Sequence, residues 1–294
     1  LLSSDLLNKE FSSNIFIKAE NLQKIGAFKF RGAMNSILKL DDDKKNVLAW
    51  SSGNHAQAIA SACYLTNKKA TIVMPEDSPN AKLNGTKSWG ANIVTFDRYS
   101  ESREEIGTAL AKKINAEIIP PFDHPDVING QGTVGYEIIS DFKKNNLKPD
   151  LVLCCCGGGG LIAGVGTAIK AEYPNVPVYA VEPEDYNDTF LSLKNNEITE
   201  VDVSKKSICD SLLASKPGEL TFSINKENLS GSLLVNDLEA MKAMKYAFQY
   251  FKIILEPGGA VALASALFNK IDIKNKTVVI IASGGNVDPD IFEK

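Results

Sequence analysis

The stretch "LVLCCCGGGGLIAGVG", residues 151–166, joins a short apolar run to four consecutive glycines and then to a segment with a helical pattern. An apolar run without polar alternation is typical of a strand buried on both faces of a parallel sheet. Glycines directly after such a strand, followed by a helix, predict one strand–loop–helix unit. The rest of the chain repeats this unit.

Further β-branched or apolar runs alternate with segments of helical length. They are "NVLAWSS" (46–52), "KATIVMP" (69–75), "NIVTFD" (92–97), "EIIPPF" (117–122), "VPVYAVEP" (176–183) and "TVVIIASGG" (277–285). Regular alternation of this kind is characteristic of parallel sheets with helices on both faces. The sequence therefore predicts an α/β protein with two open, mostly parallel twisted sheets.

These units form two groups along the chain, and no Ser/Pro-rich linker separates them. We expect a small domain over residues 45–121 and a large domain made of residues 1–44 and 122–294. Ligands of α/β proteins bind at the carboxyl ends of strands. We therefore expect the active site in the interdomain cleft, built from loops that follow strands.

Composition and charge exclude several classes of function. The 294 residues carry a formal net charge of −4, so the basic excess of a nucleic-acid-binding protein is missing. No apolar run reaches the ~18–20 residues of a membrane span. The five cysteines, three of them consecutive in a predicted strand, do not suit a disulfide framework. We expect a cytoplasmic protein whose partner is a small molecule.

The four glycines predict an anion site. Without side chains, Gly157 to Gly160 allow backbone N–H groups to surround a phosphate at the start of a helix, where the helix dipole also favours negative charge. A competing interpretation exists, because "GGGLIA" (158–163) matches a dinucleotide-binding pattern, with Glu182 or Glu184 at a suitable distance. That alternative predicts an NAD-dependent oxidoreductase.

A second loop is rich in hydrogen-bond donors. "SSGNHAQA" (51–58) follows a predicted strand and begins a helix, and its short polar side chains are Ser51, Ser52, Asn54, His55 and Gln57. Any one of them is explained as a helix cap. The whole set around a permissive Gly53 suits a carboxylate.

A lysine in an apolar setting is the third feature. Lys29 lies in "QKIGAFKFRGAMNSI" (23–37), among apolar residues and glycines. A lysine kept away from water has a lowered amine pKa and becomes a nucleophile toward aldehydes. An exposed helix lysine is the alternative. A fourth feature is Ser283, which presents a neutral hydroxyl at the end of a buried strand.

Together these motifs resemble the fold-type II pyridoxal-phosphate enzymes of the serine racemase and serine/threonine dehydratase family. The motifs occur in the family's order from end to end of the chain: "GAFKFRGA" (26–33), "SSGNHAQA" (51–58), "INGQGTVGYEI" (128–138), "CGGGGLIAG" (156–164), "AVEPEDYND" (180–188), "LEPGGAVALA" (255–264) and "SGGNVD" (283–288). The resemblance implies pyridoxal 5′-phosphate as cofactor and Lys29 as the residue that holds it covalently.

The same resemblance implies roles for other residues around the cofactor. Phe28 would frame its ring, Asn54 would bond its ring hydroxyl, Ser283 would bond its pyridine nitrogen and Glu256 would lie near that ring edge. The phosphate would bind the backbone of Gly157, Gly158, Gly159, Gly160 and Leu161. A hydroxyl partner does not enforce a protonated ring, which favours prompt loss of a β-substituent.

The implied reaction converts L-serine or L-threonine to a 2-oxo acid and ammonia, with Lys29 as the base. The residues expected at the substrate are Ser51, Asn54, His55, Gln57, Arg103 and Asp210. Ser52 stands where racemases have a second acid, so serine racemase activity is an alternative. Arg103 would also suit a 3-hydroxyaspartate, while Ser211 departs from the family's usual glycine and leaves the substrate open.

Three further expectations follow from the resemblance. Glu182, the Tyr186 carbonyl and Asp188 match a divalent-ion site with oxygen ligands, suited to Mg²⁺ or Ca²⁺; an acidic surface loop is the alternative. A homodimer is implied.

The chain is expected to have no room for the regulatory domain of feedback-inhibited threonine dehydratases after residue 294, and its N-terminus is expected to be incomplete. A catalytically silent protein with this fold is the last alternative.

Overall fold

The computed structural model describes residues 1–51, 53–78, 80–97 and 100–288, except for the side chains of Asn80 and Ala81. Within these ranges the strands are β1 (Asn14–Ala19), β2 (Asn46–Trp50), β3 (Lys69–Pro75), β4 (Asn92–Phe96), β5 (Ala116–Ile118), β6 (Leu151–Cys155), β7 (Val178–Pro183), β8 (Gly231–Val235) and β9 (Thr277–Ala282). The α-helices are α1 (Asp5–Phe11), α2 (Lys29–Leu38), α3 (Asn54–Leu65), α4 (Asn80–Ser88), α5 (Arg103–Ile114), α6 (Pro125–Lys144), α7 (Gly160–Glu172), α8 (Asp188–Asn195), α9 (Glu219–Asn228), α10 (Asp237–Tyr246) and α11 (Pro257–Leu267).

The chain divides into two compact units. The first contains Leu1–Phe28 and Gln131–Lys294, and the second contains Lys29–Gly130. The second unit is larger than the predicted segment 45–121 because α2 packs against α3. In sequence, α2 precedes β2 and α3 follows it, and no local sequence pattern indicates that the two helices are in contact.

The first unit contains a five-stranded parallel sheet in the order β1-β9-β6-β7-β8. Its central strands are almost wholly buried, as their apolar sequences predict. The helix α11 is also buried along its whole length. This unit therefore has a continuous apolar core beneath the carboxyl ends of β6 and β9.

The second unit contains a four-stranded parallel sheet in the order β4-β3-β2-β5. Leu48 of β2 and Val73 of β3 are fully buried and pack with Phe96 and Ala111 on one side of it. The α/β class with two parallel sheets is thus confirmed. The strands β1 and β8, which the sequence patterns did not indicate, are both edge strands of the first sheet.

The cysteines behave as small apolar residues. Cys63, Cys154, Cys155, Cys156 and Cys209 are all free and buried. Burial raises the pKa of the Cys154 and Cys156 thiols well above the usual range, so neither is a ready nucleophile. Across the described part of the chain, no helix combines the length and apolarity needed to cross a membrane.

Candidate active site

The candidate residues fall into two groups, one in each unit. In the first unit, the glycine loop joins β6 to α7. Gly159 is the residue that precedes the helix, and its φ of 91° lies in the left-handed region that favours glycine. A methyl group placed on it would lie 2.7 Å from Asn225 Nδ2 and 3.1 Å from Thr221 Cβ. A side chain at this position would therefore be both strained and crowded.

Side chains of α9 hold the carbonyl oxygens of this loop. Thr221 Oγ1 donates to Gly158 O at 2.7 Å, and Asn225 Nδ2 donates to Gly159 O at 3.3 Å. The first N–H groups of α7 have no partner within the helix and point out of its start. With its carbonyls tied to α9 and its N–H groups at a helix start, the loop fits a phosphate.

Sequence patterns did not single out Thr221 and Asn225. Both are buried polar residues, at 0% and 1% exposure. The only signal for them would have been two small polar residues one helical turn apart, which many helices contain.

The end of β9 brings three predicted cofactor-binding residues of the first unit together. Phe28 N donates to Ser283 O at 3.0 Å, and Glu256 N donates to Gly284 O at 3.1 Å. Ser283 and Glu256 are buried, at 3% and 1% exposure. Gly284 has no room for a side chain, because a methyl group there would clash with Glu256 Oε1. A buried hydroxyl and a buried carboxylate therefore lie at the carboxyl end of one strand.

Asp210 lies in a short 3-10 helix, Asp210–Leu212, in the same unit. Leu212 packs against the glycine loop, since a methyl group on Gly157 would lie 3.3 Å from Leu212 Cα. Ser211, which stands in place of the family's usual glycine, comes close to Gly258 at the start of α11. Asp210 itself is exposed. The segment therefore borders both the glycine loop and the start of α11.

In the second unit, Lys29 is the first residue of α2 and is partly buried. Its Nζ donates to Pro121 O at 2.6 Å, just after β5. The helix α2 lies directly against α3, and Gly130 makes this region compact by packing against the backbone of Arg31 and Gly32. The lysine amine is thus oriented by a backbone carbonyl.

The donor-rich loop follows β2 in this unit, as predicted. Its helix, α3, begins after Gly53, whose position provides no side-chain cap, and the positive end of the helix dipole lies here, where it favours an anion. Ser51 Oγ accepts from Gly53 N at 3.2 Å. Asn54 and Gln57 are buried, at 8% and 9% exposure. Ser52, the predicted second acid, lies outside the described residues.

His55 is buried and neutral. Its Nε2 bonds to Ile119 O at 2.8 Å, which makes Nε2 the protonated nitrogen, and its buried Nδ1 has no partner among the described residues. Burial, and then the positive charge of Lys29, lowers the pKa of His55 to about 3. The ring therefore carries no charge at neutral pH, and its side chain is not a cationic partner for a carboxylate.

A cavity of about 420 Å³ lies in the second unit beside this loop. Its lining includes both Ser51 and Arg103. Arg103 begins α5 and forms an ion pair with Glu104 at 2.7 Å, with about half of its side chain exposed. The arginine predicted to contact the substrate side chain therefore lines the same cavity as Ser51 of the donor-rich loop. This loop, 51–58, is called the carboxylate loop below, after its predicted role.

The predicted metal ligands lie at the end of β7 in the first unit. Glu182 accepts hydrogen bonds from Thr189 N and Phe190 N, both at 2.8 Å, and from Ser232 Oγ. Asp188 is at 0% exposure, and among the described residues neither of its carboxylate oxygens has a hydrogen-bond partner. Burial raises the pKa of Glu182 to about 7, and burial together with the charge of Glu182 raises the pKa of Asp188 to about 9.

Two buried carboxylates that repel each other suit a cation with oxygen ligands. Tyr186 is buried, and its hydroxyl donates to Lys205 O at 2.8 Å, which fixes the turn that carries its carbonyl. The described residues contain no cluster of three or more His, Cys, Asp or Glu side chains suited to a metal. From the described residues, the predicted site would therefore have two carboxylates and a backbone oxygen as ligands.

A glycine loop that fits a phosphate, a lysine oriented by a backbone carbonyl and a donor-rich loop are features expected of an enzyme that uses an aldehyde cofactor. Residues 1–284 match the family model described as pyridoxal-phosphate dependent enzyme. The chain belongs to this family, and it is a pyridoxal-phosphate-dependent lyase of fold type II. The family assignment sets aside the dinucleotide interpretation of "GGGLIA".

Similar proteins share most of their length with this chain. The L-threo-3-hydroxyaspartate ammonia-lyase of Saccharomyces cerevisiae is 43% identical over 290 residues, which cover 98% of this chain and 87% of that protein. The serine racemase of Schizosaccharomyces pombe is 41% identical over 290 residues, with 98% and 88% covered. The solved structure of maize serine racemase superposes with a TM-score of 0.93 at 35% identity, covering 99% of this chain and 89% of that chain.

Proposed function

We propose that the protein removes water from L-serine or L-threonine and releases a 2-oxo acid and ammonia. One observation carries this proposal: within the second unit, Lys29 Nζ donates to Pro121 O at 2.6 Å, and His55 of the carboxylate loop bonds to Ile119 O at 2.8 Å, so both residues are held by the same short segment after β5. A base and a carboxylate site that are neighbours can hold an amino acid with its Cα hydrogen at the base.

Pyridoxal phosphate, when bound, supplies an aldehyde that joins to an amine and a ring that makes the Cα hydrogen acidic. The backbone N–H groups of residues 157–161 would hold its phosphate. Ser283 would offer a neutral hydroxyl to its ring nitrogen, Asn54 would bond its ring hydroxyl, and Phe28 and Glu256 would border the ring. The close fit at Gly159 supports the first of these assignments.

The chain's own residues account for the proton transfers. Lys29 Nζ, oriented by Pro121 O at 2.6 Å, would take the Cα proton of the substrate. The α-carboxylate would bind the uncapped start of α3 and the Ser51 hydroxyl, which fixes the Cα–H direction. Loss of the β-hydroxyl as water, followed by uptake of water and release of ammonia, gives the 2-oxo acid.

A second candidate substrate is L-threo-3-hydroxyaspartate. Arg103 lines the same cavity as Ser51, so its guanidinium could bind a second carboxylate on the substrate side chain. The relative from Saccharomyces cerevisiae, at 43% identity, supports this candidate. Racemisation of serine is a third candidate, supported by the relative from Schizosaccharomyces pombe, and it would need Ser52 as the second acid.

Turnover distinguishes these candidates. The cofactor-loaded protein is given L-serine, L-threonine and both 3-hydroxyaspartate diastereomers, and 2-oxo acid and D-serine are measured. We expect 2-oxo acid from at least one of them, and Lys29→Ala should lower the rate about 10²–10⁴-fold. Full activity in Lys29→Ala would contradict the proposal. Lys24→Ala, a nearby lysine outside α2, is the matched control.

We also propose that Glu182, the Tyr186 carbonyl and Asp188 bind Mg²⁺ or Ca²⁺. The carboxylate oxygens of Asp188 support this assignment, since a buried carboxylate with so few partners is costly.

A homodimer in the cytoplasm completes the proposal. The family resemblance supports the dimer, and the five free cysteines suit a reducing compartment. Sedimentation would measure the oligomeric state.

A further inference from the structure

Lys82 is a buried lysine of α4 that the sequence patterns did not single out. The residue is only 9% exposed. A methyl group placed on Gly53, in the carboxylate loop, would lie 3.8 Å from Lys82 Nζ. A lysine is rarely buried to this extent, because its charge must leave water. A buried ammonium therefore lies beside the first residues of the carboxylate loop.

Packing between α4 and α3 determines where this ammonium lies. Gly85 is one helical turn after Lys82, and a methyl group on Gly85 would lie 2.8 Å from Gln57 Oε1. Glycine at this position lets α4 approach the first turn of α3. Thr86 is fully buried, and its hydroxyl donates to Lys82 O at 2.9 Å. The helix α4 is thus held against the start of α3 with Lys82 facing the loop.

The carboxylate loop lacks a charge of its own. Its N–H groups at the start of α3 and the Ser51 hydroxyl are neutral donors. The imidazole of His55 is neutral as well, because its pKa is about 3 and its Nε2 proton goes to Ile119 O. Lys29 is assigned to the cofactor and to the Cα proton. Arg103 lines the neighbouring cavity and is assigned to a carboxylate on the substrate side chain. The lysine that comes to the loop from α4 can therefore match the α-carboxylate in charge.

We propose that Lys82 gives the substrate α-carboxylate a charge-assisted hydrogen bond and thereby makes the protein prefer amino acids over amines that lack this carboxylate. This inference rests on the proposed function, because it uses the same loop. Hydrogen bonds to charged groups contribute enough to change a dissociation constant about 10- to 100-fold. Lys82 is thus proposed as a specificity-determining residue for the α-carboxylate.

The test compares L-serine with 2-aminoethanol, which has the same amine and hydroxyl but no carboxylate. Dissociation constants are measured by rapidly mixing each ligand with the cofactor-loaded protein and following the first change in cofactor absorbance, before product forms. We expect Lys82→Met to weaken L-serine binding about 10- to 100-fold and to leave 2-aminoethanol binding unchanged. Lys87→Met, an exposed lysine of the same helix, should change neither value.

Equal weakening of both ligands in Lys82→Met, or no weakening of either, would overturn the inference, because a purely structural role does not distinguish the two. Lys82→Gln carries the same expectation and replaces the Met variant if that protein does not fold. Lys82→Arg keeps the charge and should retain most of the preference. Since binding is measured without turnover, a wild-type protein that forms no 2-oxo acid refutes the proposed function separately.

Discussion

His55 allows a quantitative prediction about acid stability. Its pKa lies at about 3 in the folded protein, against an ordinary value of 6.5. A histidine whose pKa is lowered by folding supports the folded state above pH 6.5, and this support is lost as the pH falls toward 3. At pH 5 the unfolded chain gains about 2 kcal/mol by protonating this imidazole, which the folded protein cannot do.

The matched variant is His55→Gln, whose side-chain amide can still donate to Ile119 O but does not titrate. We expect the stability difference between wild type and variant, measured by urea unfolding, to shift by about 2 kcal/mol against the wild type between pH 7.5 and pH 5. Glu182 and Asp188, whose pKa values are raised, titrate in both proteins and cancel in the difference.

Proton NMR gives an independent measurement, because the chain contains only two histidines. The ring resonances of His55, assigned by their loss in His55→Gln, should not titrate between pH 8 and pH 5. A titration midpoint near 6.5, or a stability difference that stays constant with pH, would refute the reasoning. Either result would mean that the ring is open to water and available as a charged partner for a carboxylate.

Three further predictions concern the loop, the cavity and the metal. Gly159→Ala should weaken cofactor binding. It should also lower stability by more than Gly90→Ala, which is likewise at positive φ but has open space around it and should show only the backbone cost of about 1–2 kcal/mol. Equal losses of stability in both would refute the crowding argument. Arg103→Ala should lower kcat/KM for L-threo-3-hydroxyaspartate about 10- to 100-fold and leave that for L-serine nearly unchanged, and an equal loss for both substrates would remove Arg103 from side-chain recognition. Millimolar Mg²⁺ or Ca²⁺ should raise Tm in the wild type and not in Asp188→Asn; a Tm that neither ion changes would contradict the metal proposal.

Sequence patterns were most informative where the chain is most buried. The strands β6 and β9 lie in the middle of the first sheet, so each is apolar on both faces and stands out as a continuous run. The strands β1 and β8 lie at its edges and are only partly buried. Their mixed composition does not differ from that of a loop or a helix, which is why the patterns missed them.

The residues of the candidate site also fall into two groups, those that the sequence reveals and those that only the structure reveals. Lys29, the loop at 51–57 and the four glycines from Gly157 are marked by unusual residues in short stretches, which a sequence shows directly. Lys82, Thr221 and Asn225 are ordinary helix residues in sequence, and their placement depends on contacts between α4 and α3 or between α9 and the glycine loop.

The sequence alone determined the α/β class, the family and the order of the motifs, because these depend on local patterns of apolar residues and glycines. Only the tertiary structure decided the boundary at Lys29, the neutral state of His55 and the position of the Lys82 ammonium. Each of these depends on burial and on distances between segments far apart in the chain. Desolvation and close packing arise only when those segments come into contact, so no single stretch of sequence predicts these three features.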